Sequence, residues 1–146
     1  MFKKILVTLD GSELAERALE PGLQLAKEFD GEIILLRVPV IEAQVAVPYG
    51  IGMPYEPDLK RSQDEADSYL FGIQMKLLGS GVNVRTEVVS GAPADVILDV
   101  SEAERIDLIV MSTHGRSGLS RLFYGSVAES VLRGSYVPVL LIPAKE

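Results

Sequence analysis

The residues best suited to hold an anion lie in a glycine- and serine-rich segment at 112–118, with the sequence Ser-Thr-His-Gly-Arg-Ser-Gly. An apolar run at 106–111 precedes it, and Gly125-Ser126 follows after six further residues, at the start of a pattern typical of a helix. Glycines let a backbone approach an anion closely, and the first turn of a helix presents N–H groups that have no partner within the helix. The spacing therefore predicts a phosphate-binding loop between a strand and a helix, to which Ser126 adds a hydroxyl.

An ordinary strand-to-helix connection with a glycine turn is the alternative interpretation. A single glycine would favour it, but here three glycines combine with five hydroxyl side chains: Gly115, Gly118, Gly125, Ser112, Thr113, Ser117, Ser120 and Ser126. The loop is not a Walker A motif, because the chain has no Gly-Lys-Ser or Gly-Lys-Thr, and no Gly-x-Gly-x-x-Gly follows the first apolar run. Phosphate binding is the interpretation we favour.

Three charged or titratable side chains accompany this loop. His114 is the only histidine, and we expect it to orient the backbone or face solvent, because a general base needs a positioned partner that the sequence does not name. Arg116 and Arg121 are more often solvated than bound, yet their place beside an anion loop makes a phosphate contact from one of them plausible.

A second candidate is Asp10, in the sequence Asp10-Gly11-Ser12-Glu13 after an apolar run. One interpretation is helix capping, in which Asp10 or Ser12 accepts from first-turn N–H groups and Glu13 reaches back as the partner of a capping box. The other is a carboxylate that accepts hydrogen bonds from ligand hydroxyls such as those of a ribose. Both fit if Ser12 caps the helix while Asp10 faces a cleft.

Composition bounds the class of protein. The 146 residues fit one domain, 1–146, and 47% hydrophobic with 24% charged residues is usual for a soluble globular chain. The net charge of −7 argues against binding to nucleic acid or to an anionic membrane. The absence of cysteine excludes disulfides, thiolate zinc sites and thiol catalysis, and is compatible with a cytoplasmic location. No apolar stretch has the length of a signal sequence core or a membrane span.

The hydrophobic pattern alternates between strands and helices. It predicts strands at 5–9, 32–38, 82–89, 106–111 and 137–142, and helices at 13–29, 58–78, 94–104 and 126–133. Strands that are nearly apolar throughout and separated by helices indicate a parallel sheet covered on both faces.

A connection at 39–57, rich in proline and glycine, is predicted to be a long flexible loop. Its side chains Tyr49, Met53 and Tyr55 could cover a base, pack internally or contact a second subunit. Parallel sheets bind ligands at the carboxyl ends of their strands, where Asp10, Val38 and the Gly/Ser loop all fall. We therefore expect these three features to form one pocket.

Together these motifs resemble those of the universal stress protein family, over essentially the whole chain as a single copy. The segments that carry the resemblance are KILVTLDGS at 4–12, MSTHGRSGLSR at 111–121, GSVAE at 125–129 and VPVLLIP at 137–143. The ATP-binding branch of that family has Gly-x-x-Gly, nine residues, then Gly-Ser or Gly-Thr. This sequence has Ser112-x-x-Gly115, nine residues, then Gly125-Ser126, so it departs only at the first position.

The resemblance implies an α/β fold with an open five-stranded parallel sheet in the order 3-2-1-4-5 and helices on both faces. This is a Rossmann-like architecture related to the adenine-nucleotide alpha hydrolases. The implied ligand is ATP, with Mg²⁺ or Mn²⁺ bridging its phosphates.

The family pattern also implies a role for particular positions. Thr8 and Asp10 lie at the nucleotide, with Asp10 on the ribose, and Val38 offers backbone groups to adenine. Ser112 replaces the glycine that approaches the ribose; a positive φ there would cost serine about 1 kcal/mol or more, whereas a need only for a small side chain suits it. The residues implied around the triphosphate are Gly115, Arg116, Ser117, Gly125, Ser126 and Val127.

The family pairs its subunits through the last strand, at 137–142 here. Pro138 suits an edge strand because it cannot donate to a ladder, and the apolar strand has no guarding charge before Lys145, so it invites pairing with a second copy. The implied function is an ATP-binding stress-response homodimer that signals to unidentified protein partners, with at most weak hydrolysis or autophosphorylation.

Other function classes remain as alternatives. These are a slow ATPase or phosphotransfer enzyme on the same fold, and a nucleotide-free, chaperone-like interaction dimer. A receiver domain is excluded because the third predicted strand ends in Val88-Val89-Ser90-Gly91, without a phosphorylatable aspartate. An adenylating pyrophosphatase is disfavoured because Asp10-Gly11-Ser12 stands where that class has Ser-Gly-Gly-x-Asp-Ser.

Overall fold

A computed structural model describes residues 1–39, 56–113 and 125–143 of the chain. In these ranges the elements follow in the order β1 Lys4–Leu9, α1 Glu13–Glu16, α2 Leu19–Glu28, β2 Glu32–Arg37, α3 Glu56–Lys76, β3 Asn83–Val88, α4 Pro93–Ala103, β4 Leu108–Ser112, α5 Ser126–Gly134 and β5 Val139–Ile142. Each strand predicted from the hydrophobic pattern is present, with bounds that differ by no more than two residues.

The strands form one parallel sheet in the order β3-β2-β1-β4-β5, which confirms the predicted topology. From β1 the chain winds outward through β2 to β3, and then crosses back to add β4 and β5 on the other side. The point at which the winding direction changes therefore lies between β1 and β4. In open parallel sheets ligands bind at such a point, outside the carboxyl ends of the strands.

Helices cover both faces of the sheet, which is why the central strands are apolar on both sides. One core cluster joins Val7 and Leu35 to Leu70 of α3, on the face covered by α1, α2 and α3. The other joins Leu6 to Val131 of α5, on the face covered by α4 and α5. The described part of the chain contains no helix long and apolar enough to cross a membrane.

The single helix predicted at 13–29 is wrong, because the structure divides it into α1 and α2. At the junction the N–H groups of Arg17 and Ala18 donate to carbonyls three residues earlier, over 3.3 and 3.1 Å. The cause is Pro21, which has no N–H to donate to the Arg17 carbonyl and whose ring crowds that carbonyl in a continuous helix. Placed in the first turn of a new helix, the same proline is tolerated.

Two other boundaries also differ from the prediction. Helix α3 begins at Glu56, so the predicted loop at 39–57 is wrong in its last two residues, and its residues 40–55, with Tyr49, Met53 and Tyr55, lie outside the described ranges. Strand β5 begins at Val139 rather than 137, because the N–H of Val137 donates to Ser135 Oγ over 3.1 Å in a local turn and Pro138 has no N–H for the ladder.

Candidate functional site

The strands on either side of the switch point part before they end. The register of β1 with β4 runs only from Ile5–Leu108 to Val7–Val110, two residues before the end of either strand. The pairings on either side of this one continue to the strand ends. They reach Leu9–Arg37 between β1 and β2 and Ser112–Ile142 between β4 and β5. A crevice therefore opens at the carboxyl edge between β1 and β4.

The β1–α1 turn fixes Asp10 at one side of this crevice. The Ser12 N–H donates to Asp10 Oδ1 over 2.9 Å, and the Ser12 hydroxyl donates to the same oxygen. Ser12 Oγ in turn accepts from the Ala15 N–H over 3.1 Å, so Ser12 is the N-cap of α1, as predicted. The prediction of Glu13 as a capping-box partner is wrong, because the Ser12 N–H donates to Asp10 and the third helical residue is Ala15.

The N-terminus of α5 lies against the other side of the crevice. Its N-cap is Gly125, at φ 85° and ψ 144°, and a Cβ placed there would lie 2.5 Å from the carbonyl oxygen of Thr113. Only glycine combines this backbone conformation with so close an approach. The first turn of α5, with Ser126 and Val127, therefore begins directly beside the end of β4, where its N–H groups and dipole favour an anion.

Ser112 fits its position without backbone strain. It is the last residue of β4 and 8% exposed. Among the described residues, positive φ values outside glycine occur only at Asp30 and Arg105, so Ser112 has an ordinary strand conformation. The strain considered for a serine at this position is therefore absent, and its small side chain lies at the crevice.

Two further predicted residues lie at the same edge. Thr8 and Val38 are both partly buried, Thr8 in the last part of β1 and Val38 directly after β2. Gly115, Arg116 and Ser117 lie outside the described ranges, as do His114 and Arg121. Within the described residues no group of three or more His, Cys, Asp or Glu side chains is placed to hold a metal ion.

The sequence interpretation missed a cluster that adjoins Asp10. The guanidinium of Arg37, the last residue of β2, lies over the ring of Tyr69 with its Cζ 4.9 Å from the ring centroid. The Tyr69 hydroxyl donates to Glu16 Oε2 over 2.7 Å. Burial first, and then this hydrogen bond, raise the pKa of the Tyr69 phenol. One signal could have revealed Arg37: a cation follows four apolar residues at the end of a strand, at the edge where open parallel sheets bind ligands.

Arg37 also lies against the β1–α1 turn. A Cβ placed on Gly11, which has φ 90°, would lie 3.0 to 3.1 Å from Nη1, Cζ and Nη2 of Arg37. Near-equal distances to these three atoms mean that Gly11 lies over the face of the planar guanidinium. The positive φ of the turn therefore favours glycine at position 11, and a side chain there would make the Arg37 guanidinium shift by a few tenths of an ångström.

Comparisons with known proteins show the family to which this fold and sequence are similar. A family model described as the universal stress protein family matches residues 1–143. The chain is 34% identical over 148 residues to universal stress protein MJ0531 of Methanocaldococcus jannaschii, with 100% of this chain and 86% of that protein covered. It superimposes on the solved structure of MJ0577, from the same organism, with a TM-score of 0.80 at 34% identity, covering 100% and 99% of the two chains. A family member from Arabidopsis thaliana was solved with AMP bound. Its structure has a TM-score of 0.69 at 22% identity, with 97% of this chain and 91% of that chain covered.

Proposed function

The chain belongs to the universal stress protein family, and we propose that it is an ATP-binding member that acts as a nucleotide-dependent regulatory homodimer. The observation that carries this proposal is the crevice between β1 and β4, onto which Asp10, Ser112 and the N-terminus of α5 converge. A carboxylate on one side and helix N–H groups on the other suit the ribose hydroxyls and the phosphates of a nucleotide. The structure of a relative with AMP bound adds support.

In this proposal each side of the crevice holds a different part of ATP. Asp10 accepts hydrogen bonds from ribose hydroxyls, and its bonds from Ser12 keep the carboxylate in place. Thr8 lies at the bottom of the crevice, Val38 presents backbone groups to adenine, and Ser112 lies near the ribose. The phosphates lie at Gly125, Ser126 and Val127, with Gly115, Arg116 and Ser117 completing the loop. A divalent cation, Mg²⁺ or Mn²⁺, neutralises phosphate charge when bound.

The arrangement supports binding more than catalysis. Hydrolysis needs a base positioned on an attacking water, and in this proposal Asp10 is assigned to the ribose hydroxyls and not to a water. Nucleotide occupancy would then be read by partner proteins, in the cytoplasm. Slow hydrolysis or phosphotransfer, and a nucleotide-free interaction role, are the alternatives that the experiment below separates.

Strand β5 supports the homodimer. It is an edge of the sheet, its sequence is apolar, and all four of its residues are only partly buried. Two exposed side chains, Leu132 and Tyr136, lie in the sequence just before it. Edge-to-edge pairing with a second copy would satisfy the open ladder and cover this apolar strand. We expect a molar mass of twice 15.8 kDa by light scattering.

The proposal is tested by calorimetric titration of nucleotide-stripped protein with ATP and Mg²⁺. We expect saturable binding near one ATP per chain. Asp10→Asn should weaken ATP roughly ten-fold or more, because it removes a charged hydrogen-bond acceptor, and should have little effect on 2′,3′-dideoxy-ATP, which lacks the hydroxyls. Asp99→Asn, the same change on the exposed side of α4, is the control.

Three results would count against the proposal. An absence of binding up to millimolar ATP would favour the nucleotide-free dimer. Unchanged affinity in Asp10→Asn would move the nucleotide away from this crevice. Steady turnover of bound ATP would favour the enzyme alternative.

A further inference from the structure

Arg37 is a charged group at the site to which neither the motifs nor the proposed ATP contacts give a role. Arg37 is partly buried, and Gly11 and the Tyr69 ring lie against its guanidinium. Among the residues that the structure describes, it has neither an ion pair nor a side-chain hydrogen bond. A guanidinium has five N–H donors in its plane, so Arg37 presents unused donors that are already oriented.

The position of Arg37 indicates which part of a ligand it would meet. It is paired with Leu9 in the ladder, so it is next to Asp10 on one side and precedes Val38 in the chain on the other. The proposed contacts put ribose at Asp10 and adenine at Val38. Arg37 therefore lies beside the ribose, away from the N-terminus of α5 where the 5′-phosphates are expected.

We propose that Arg37 binds an anionic group on the ribose, so that the site takes adenine nucleotides that carry a phosphate on the 2′ or 3′ oxygen. Planar guanidinium groups bind phosphate through two parallel N–H bonds. In dinucleotide-binding folds an arginine near the ribose accommodates a 2′-phosphate in the same way. This inference rests on the proposed nucleotide site and adds a ligand class to it.

The negative charge of Asp10 would repel a phosphate on the ribose, but the local contacts of Asp10 reduce this repulsion. Two donors of Ser12 converge on Asp10 Oδ1, so part of that charge is already directed into the turn. The other nearby carboxylate, Glu16, accepts from the Tyr69 hydroxyl. Arg37 is thus the group beside the ribose whose charge is not taken up by a hydrogen bond with its neighbours.

The test compares three ligands on the full chain: 5′-AMP, adenosine 2′,5′-bisphosphate and adenosine 3′,5′-bisphosphate. We expect at least one bisphosphate to bind roughly ten-fold or more tightly than AMP, and the better of the two identifies the ribose oxygen. Arg37→Gln should abolish this preference and leave AMP binding within about two-fold, because AMP has no phosphate there to lose. Arg37→Lys keeps a positive charge and should therefore retain part of the preference for a bisphosphate over AMP.

Arg17→Gln is the matched control, since it removes an exposed arginine from the end of α1 and should leave the preference unchanged. The inference is overturned if AMP or ATP binds and neither bisphosphate binds more tightly, or if the preference survives in Arg37→Gln. The first of these comparisons needs no variant, so a folding defect in Arg37→Gln would not obscure it. If no nucleotide binds at all, the proposed function fails together with the inference.

Discussion

Gly125→Ala perturbs the contact that places the N-terminus of α5 beside the end of β4. The backbone at Gly125, with φ 85° and ψ 144°, lies in a region that costs a residue with a Cβ roughly 1–3 kcal/mol. In addition, the new Cβ would lie 2.5 Å from the Thr113 carbonyl oxygen, so α5 or the end of β4 has to move. We expect the free energy of unfolding to fall by at least about 2 kcal/mol.

Two other glycines separate the causes of this loss. Gly79 has a similar φ of 87° but open space around a Cβ, so Gly79→Ala should cost about 1 kcal/mol from the backbone alone. Gly72 lies within α3 and also has open space, so Gly72→Ala should stabilise the chain by about 0.5–1 kcal/mol through its better helix propensity. The excess loss in Gly125→Ala over Gly79→Ala contains the close approach to Thr113 together with any greater backbone cost at Gly125.

The assay is urea unfolding of the three variants and the parent chain, with ATP titration of each folded protein. Because Gly125→Ala shifts the helix N–H groups proposed to meet phosphate, its ATP affinity should fall, whereas Gly79→Ala and Gly72→Ala should bind ATP as the parent does. A Gly125→Ala protein that is no less stable than Gly79→Ala would refute the reasoning about the Thr113 carbonyl. Unchanged ATP affinity in a displaced α5 would refute the phosphate assignment.

Three further changes test contacts around the site and at the β3 edge of the sheet. Ser12→Ala removes the N-cap of α1, so we expect the free energy of unfolding to fall by about 1 kcal/mol in urea titrations, against a few tenths for Ser12→Gly. Tyr69→Phe removes only the hydroxyl that donates to Glu16 and should cost about 1 kcal/mol by the same measurement. Glu87→Gln should raise stability at pH 7, because burial first, and then a hydrogen bond shared with Glu104, raise the pKa of Glu87. The glutamine keeps a donor to Glu104 without needing a bound proton.

The sign of the pH dependence follows from these two carboxyl groups. The raised pKa of Glu87 gives stability that is complete below the ordinary value of 4.5 and is lost as the pH rises through the raised value. Glu104 behaves oppositely: its hydrogen bonds with Glu87 and then Arg85 lower its pKa, so its contribution is present above 4.5 and lost in more acidic solution. Between about pH 4 and pH 8, the urea midpoint should therefore decline less in Glu87→Gln than in the parent chain as the pH rises toward neutral. Identical midpoints at pH 7 would contradict this account.

Tyr69→Phe has its own diagnostic. The ring against Arg37 remains, so the proposed preference for ribose phosphates should persist even though stability falls. A loss of that preference in Tyr69→Phe would mean that the bond to Glu16, rather than the ring, holds the guanidinium in place.

The sheet could be predicted from the sequence because its central strands β1, β2 and β4 are largely buried. Ile33–Leu36, for example, form an unbroken apolar run with no exposed surface, which few other structures produce. The break in the first helix was not predicted because the apolar spacing of Leu14, Ala18 and Leu25 continues across it, whereas the steric effect of Pro21 acts on one carbonyl only.

The candidate site likewise contains residues that could be predicted from the sequence and residues that could not. Asp10 and the Gly125 turn were predicted because local spacing determines both of them. The Arg37 cluster could not be, since Tyr69 is 53 residues from Glu16 in the chain and only the packing of α3 brings them together. A lone arginine at a strand end is usually solvated, and only the covering ring and Gly11 distinguish this one.

The contact between Arg37 and Tyr69 also shows where α3 lies relative to the carboxyl end of β2. Because Tyr69 contacts the last residue of β2, the thirteen residues of α3 that precede it, 56–68, extend roughly 20 Å along the helix axis beyond that contact. Gln63 donates to the Ser90 hydroxyl over 3.3 Å, two residues beyond the end of β3, which ties this part of α3 to the sheet edge. Helix α3 thus runs along one side of the carboxyl edge of the sheet, where the nucleotide is proposed to bind. Salt screens a partly buried charge less than an exposed one, so Arg37, beside this helix, would attract a bound anion over a longer range than an arginine on an open surface.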